Sequence, residues 1–259
     1  MKLNEEQANQ LNDWISRPTA FKLLTTENYK ISKSKKVGYL TAAINLAPAN
    51  SSGVMNVCPW AQNCNKEGAC LEYSGRNIYY RPKHARIMRT YWYVHDRAGF
   101  LDRLNTEIES FIKRAHKKGF TPTIRPNGLS DIPQLAIWIA GKFPNLWVYD
   151  YTKRPTNLWG KLPKNYHLLF SYSGSNLSEA LTALDKGISV AVVFDTKKRE
   201  TLPQTLWQVP VIDGDLNDLR FADKAGVVVG LRAKGRLRKQ IGINPFVMSA
   251  DHAELVASL

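Results

Sequence analysis

Cysteine is scarce in this chain, with three among 259 residues. An odd number cannot all pair as disulfides, and so few exclude a disulfide scaffold. Acidic residues are also under-represented, 22 against 36 Lys and Arg, leaving a formal charge of +14. That excess draws polyanions over a long, salt-dependent range, which favours a nucleic acid or nucleotide-bearing partner. No apolar run approaches the roughly 18 residues of a membrane helix, so no membrane partner is expected. Residues 1–6 lack the apolar core of a signal peptide, and a cytoplasmic location is expected. Histidine is sparse and dispersed: His84, His95, His116, His167 and His252 include no close pair. This argues against a rolling-circle replication nuclease, which needs paired metal-binding histidines. No repeat, low-complexity tract or linker divides the chain. It reads as a single domain, with an N-terminal extension (1–35), a core (36–238) and a C-terminal tail (239–259).

What cysteine there is lies together. Cys58, Cys64 and Cys70 fall within thirteen residues, with five residues between neighbours, on a stretch carrying Pro59, Asn63, Asn65 and Gly68. Three thiols on one loop point to a shared inorganic partner. Three thiolates suit a [4Fe–4S] cluster with one iron left open, and an open iron is the device that holds S-adenosylmethionine for reductive cleavage. Zinc is the alternative metal, with His84 or His95 as fourth ligand. Three unligated buried cysteines are the remaining reading.

The rest of the chain alternates short apolar strands with helices. Residues 4–15 and 97–118 read as helices, the second from Phe100, Leu101, Leu104, Ile108, Phe111 and Ile112 at helical spacing. Strands are expected at 37–46, 120–125, 146–151, 166–171, 188–195, 209–213 and 226–231, with a further one near Phe21 to Leu24. Nearly continuous apolar strands separated by crossovers indicate parallel strands buried on both faces. The expected fold is therefore α/β, a (β/α) TIM-like barrel, complete or not, with the cysteine loop at the C-terminal rim of an early strand.

Polar residues follow strand after strand: Asn127 and Asp131, Asp150 and Lys153, Ser171, Asp195, Asp213, Arg232 and Lys234. In a barrel this rim is where a site is assembled. Asp150, Lys153, Asp195 and Asp213 are the expected catalytic side chains. Asn127, Asp131, Ser171, Arg232 and Lys234 are expected to bind cofactor or phosphate, and the cysteines to bind metal. A magnesium site on Asp195, Asp213, Asp215 and Asp218 is a further alternative. Separately, residues 79–97 interleave Tyr79, Tyr80, Tyr91, Trp92 and Tyr93 with Arg81, Lys83, His84, Arg86, Arg89 and Arg97. Such a stretch serves base stacking and phosphate contact, or else forms an amphipathic helix with an aromatic core face.

Several phrases carry a resemblance: Gly38-Tyr39-Leu40-Thr41, Leu46-Ala47-Pro48-Ala49-Asn50, Asn56-Val57-Cys58-Pro59-Trp60-Ala61, Asn127-Gly128-Leu129-Ser130-Asp131 and Gly230-Leu231-Arg232-Ala233-Lys234-Gly235. From about Lys36 to Arg238 the chain resembles the bacteriophage gene product 88-like family, which implies a phage-encoded protein acting in the host cytoplasm. More distantly, it is similar to radical S-adenosylmethionine enzymes. That similarity implies an iron–sulfur enzyme modifying a nucleic acid or nucleotide. The competing expectation is a metal-stapled module that binds nucleic acid or a host protein without turnover, for example in counter-defence.

Overall fold

Mostly parallel strands alternate with helices in the computed structural model, which describes residues 3–16, 22–26, 32–61, 64 and 69–251. Ten strands make a mixed α/β arrangement, and the chain divides into two compact units. The first holds residues 1–59 and 76–148, the second residues 60–75 and 149–259.

In the first unit, helix α1 (Glu5–Ile15) starts at a capping box: Asn4 accepts from the Gln7 amide, and the Gln7 side chain accepts in return. It buries Leu11 and Trp14. Strand β1 (Leu24–Thr25) pairs antiparallel with β2 (Tyr39–Ile44). β2 lies parallel to β3 (Thr121–Arg125), which pairs in turn with the start of β4 (Trp147–Thr152). Helix α2 (Tyr80–His95) leads through Asp96, which caps the Gly99 amide, into α3 (Arg97–Lys117). The apolar stripe of α3 (Phe100, Leu104, Ile108, Phe111 and Ala115) is fully buried, as its spacing requires. Phe100 meets Trp92 and Tyr93 edge-on, at 5.6 and 5.3 Å between ring centres. Gly119, at φ +73°, turns the chain from α3 into β3. Helix α4 (Pro133–Lys142) begins with proline, which needs no amide partner there.

In the second unit, β5 (Tyr166–Ser171), β6 (Val190–Phe194), β9 (Val228–Arg232) and β8 (Val209–Asp213) are parallel neighbours in that order. β7 (Thr205–Leu206) pairs antiparallel with β8, and β10 (Val247–Met248) adds to the end of β6. Helix α5 (Leu177–Asp185) packs Ala180 and Ala183 over Phe170, Val190, Val192, Phe194 and Val228.

The pairing does not close into the TIM-like barrel expected from the sequence. Among the described residues β1 pairs with β2 and β7 with β8, each antiparallel, so each leaves an open edge. The strand expected near Phe21 is β1, two residues long. Phe21 itself, and the end of the tail from His252, lie outside the described residues.

Candidate functional site

The expected site residues fall into separate groups. In the first unit, the turn after β2 and the turn after β3 are bound together. The Gly128 amide donates to the Ile44 carbonyl at 2.9 Å, and the Asp131 amide to the Val57 carbonyl at 2.8 Å. A Cβ at Gly128 would run into the Asn45 side chain and the Ile44 carbonyl, so only glycine allows this approach. Asn127 is buried and holds its own turn: its Oδ1 accepts from Ser130 Oγ and the Ile132 amide, and its Nδ2 donates to the Ile132 carbonyl. Asp131 is half-buried beside it. Cys58 is half-buried, with its thiol donating to the Leu129 carbonyl at 3.4 Å.

In the second unit, Lys153 and Ser171 come together at the ends of β4 and β5. Lys153 Nζ donates to Ser171 Oγ at 3.2 Å and lies 5.3 Å over the Phe246 ring. Cys64 and Cys70 belong to this unit, and the Cys70 amide donates to the Cys64 carbonyl at 3.0 Å. Burial pushes the Cys70 thiol up to about 11, against a weaker downward pull from the Glu72 amide and from Lys153.

At the ends of β8 and β9 four of the expected residues form one ionic cluster. Arg232 Nη1 donates to both oxygens of Asp213 at 3.0 and 2.9 Å and reaches Asp215 at 3.4 Å. Asp215 also accepts from the Arg232 amide and pairs with Lys234. Burial alone would raise Asp215, but Lys234 and Arg232 together outweigh it and hold the carboxyl below its ordinary range. The cluster borders an open cavity of about 400 Å³, with Leu202, Pro203 and Val211 apolar and Arg199, Thr201 and Gln204 polar in its lining.

Three further candidate carboxylates, Asp150, Asp195 and Asp218, have other partners. Asp150 is buried and accepts from Tyr166 Oη at 3.4 Å. Asp195 accepts from the Ala250 amide at 2.9 Å. Asp218 is fully buried, accepting from Tyr149 and Tyr151 at 3.2 and 2.8 Å, apart from the Asp213–Asp215 cluster. Among the described residues no group of three or more His, Cys, Asp and Glu side chains is placed to hold a metal ion.

The aromatic–basic stretch splits along α2. Tyr91, Trp92 and Tyr93 are core, Arg86 is buried, and Arg89 is spent on the Lys22 carbonyl through Nε and Nη2. The leading end is different: Ile78, Tyr79 and Tyr80 are 59%, 61% and 78% exposed, beside exposed Arg76, Arg81 and Lys83. His84 stacks on Tyr80 at 5.6 Å. The second unit has its own basic surface on the 3-10 turn Gly235–Gln240, where Arg236, Arg238 and Lys239 are exposed next to Lys234. Arg236 lies 5.0 Å over the Tyr73 ring, and Gly235, at φ +58°, sits against Ser74 where a Cβ would collide. Neither Tyr73 nor the cavity-lining Arg199, Thr201 and Gln204 was marked by the sequence. The basic run Lys197-Lys198-Arg199 after β6 was the available signal.

Comparison with curated proteins finds no match, and neither does comparison with solved structures. The family model described as gene product 88 matches residues 22–252, a span holding both units' strands, the cysteines and both basic surfaces. The chain therefore belongs to the bacteriophage gene product 88 family.

Proposed function

We propose that this protein binds nucleic acid, through flexible or single-stranded segments whose bases are free to stack. The observation that carries this reading is the exposure of Tyr79 and Tyr80 among Arg76, Arg81, Lys83 and His84. These two adjacent tyrosines lie outside the core, and rings set between cations make a stacking platform with phosphate contacts at its margin. The platform sits at the N-terminal end of α2, where the helix dipole adds to the attraction for phosphate. A formal charge of +14 supports the same class of partner.

The test is fluorescence anisotropy of a labelled single-stranded oligonucleotide against the full chain. Stacking contributes about 1–3 kcal/mol per base, so the double variant Tyr79→Ala, Tyr80→Ala should bind at least about tenfold more weakly. Far-UV circular dichroism should be unchanged, since neither ring is in the core. Wild-type affinity in that variant, or affinity indifferent to salt, overturns the reading.

A further inference from the structure

We propose that Cys64 and Cys70 form a reversible disulfide, a modification site from which Cys58 is excluded. The amide of Cys70 donates to the carbonyl of Cys64 at 3.0 Å. Bond lengths and the trigonal angle at the carbonyl carbon then cap the separation of the two Cα atoms at about 6.9 Å. A disulfide spans roughly 4.4–6.8 Å between Cα atoms, so the backbone holds the pair close to bridging range. Both side chains are half-buried, unbridged and in the same unit. The Cys58 thiol is engaged elsewhere, donating to the Leu129 carbonyl at 3.4 Å.

The surroundings give the bridge a mechanical meaning. Cys64 packs with Ala69, Ala233, Leu237 and Phe246. Cys70 leads directly into the 3-10 turn Leu71–Tyr73, whose last ring carries Arg236. A covalent link between the two cysteines therefore staples the seat of the basic turn Gly235–Gln240. This inference stands on the cysteine geometry and is independent of nucleic-acid binding.

The chemistry is thiol–disulfide exchange with a low-molecular-weight disulfide such as oxidised glutathione. The Cys64 thiolate attacks that disulfide, forming a mixed disulfide and expelling one glutathione thiolate. The Cys70 thiol then gives its proton to solvent and attacks the Cys64 sulfur of the mixed disulfide, expelling the other glutathione thiolate. Two protein thiols are oxidised, one small disulfide is reduced to two thiols, and the protein loses two hydrogen atoms.

The test uses the full chain, first reduced without air and then incubated with oxidised glutathione. Remaining thiols are alkylated, and peptides are mapped by mass spectrometry. The expected result is alkylation at Cys58 alone, with the peptides of Cys64 and Cys70 linked, in the wild type and equally in Cys58→Ala. Reduction should restore all three thiols. Three alkylated cysteines after oxidation overturn the proposal, as do a bridge that includes Cys58 and stable glutathione adducts on Cys64 or Cys70. So does retention of all three thiols by a bound metal, read by elemental analysis of the same sample.

Discussion

At the scale of single residues, Asp213, Asp215, Arg232 and Lys234 neutralise one another at the ends of β8 and β9. Asp213, Arg232 and Lys234 stand where expected, at strand ends, but they are bound to one another and to Asp215. Asp150 reads as an active-site acid and is a buried acceptor for Tyr166. A residue list shows that a charge lies after a strand. It does not show whether the partner that neutralises it arrives from another strand, and that partner here lies about twenty positions away. Asp215 has a measurable consequence. Its folded carboxyl is held below the unfolded value of 3.8, so it stabilises the fold above that value, and the benefit is lost as pH falls through the folded value. Asp215→Asn should cost about 1.5–3 kcal/mol near pH 7, the range for hydrogen bonds to a charged group. The gap between variant and wild type should close toward pH 3. Urea melts at both pH values check this, and a gap that stays constant with pH sinks it.

Among the elements, long periodic ones were legible and short ones were not. The helix at 97–118 and the strand at 166–171 appear within a residue of their expected limits, because a continuous apolar stripe leaves one way to bury it. Strands β7 and β10 have two residues each and no pattern to read. Strand β1 is equally short, and side chains hold it in place. Glu107 accepts from the amides of Leu23 and Leu24 and pairs with Arg103, while Arg89 grips the Lys22 carbonyl. Burial pushes Arg89 down to about 10, against an opposing pull from Glu107, and it keeps its charge at neutral pH. Replacing Glu107 by Ala leaves two inward-facing amides unpaired, at a cost of roughly 2–4 kcal/mol. Hydrogen exchange at Leu23 and Leu24 should accelerate markedly in that variant. Unchanged exchange there would show that β1 is held by its pairing to β2 alone. Helix α2 was read either as a stacking surface or as an amphipathic helix with an aromatic core face; its trailing aromatics are core, while the leading ones face solvent. Rings stand at both ends of the stretch with cations between them, so only packing against α1 and α3 decides which end is core and which is surface.

On the scale of the whole molecule, the parallel strands and their order of appearance were legible, while closure was not. Closure depends on what the first and last strands pair with, and two short antiparallel partners settle that without leaving a trace in the apolar pattern. The positive charge was legible from composition, and its distribution only from the surfaces. Two such surfaces with different chemistry allow their contributions to be separated. Rings stack with little release of counterions, whereas each phosphate neutralised on a single strand contributes about 0.7 to the slope of log affinity against log salt. The triple variant Arg236→Gln, Arg238→Gln, Lys239→Gln removes three exposed cations and should lower that slope by about 2, if each meets a phosphate. Tyr79→Ala with Tyr80→Ala should weaken binding at every salt concentration and leave the slope nearly where it was. Anisotropy titrations over a range of sodium chloride concentrations measure both. A tyrosine variant that flattens the slope as much as the cation variant would mean that the rings position phosphates instead of stacking bases. A cation variant with the wild-type slope would place the basic turn Gly235–Gln240 outside the interface.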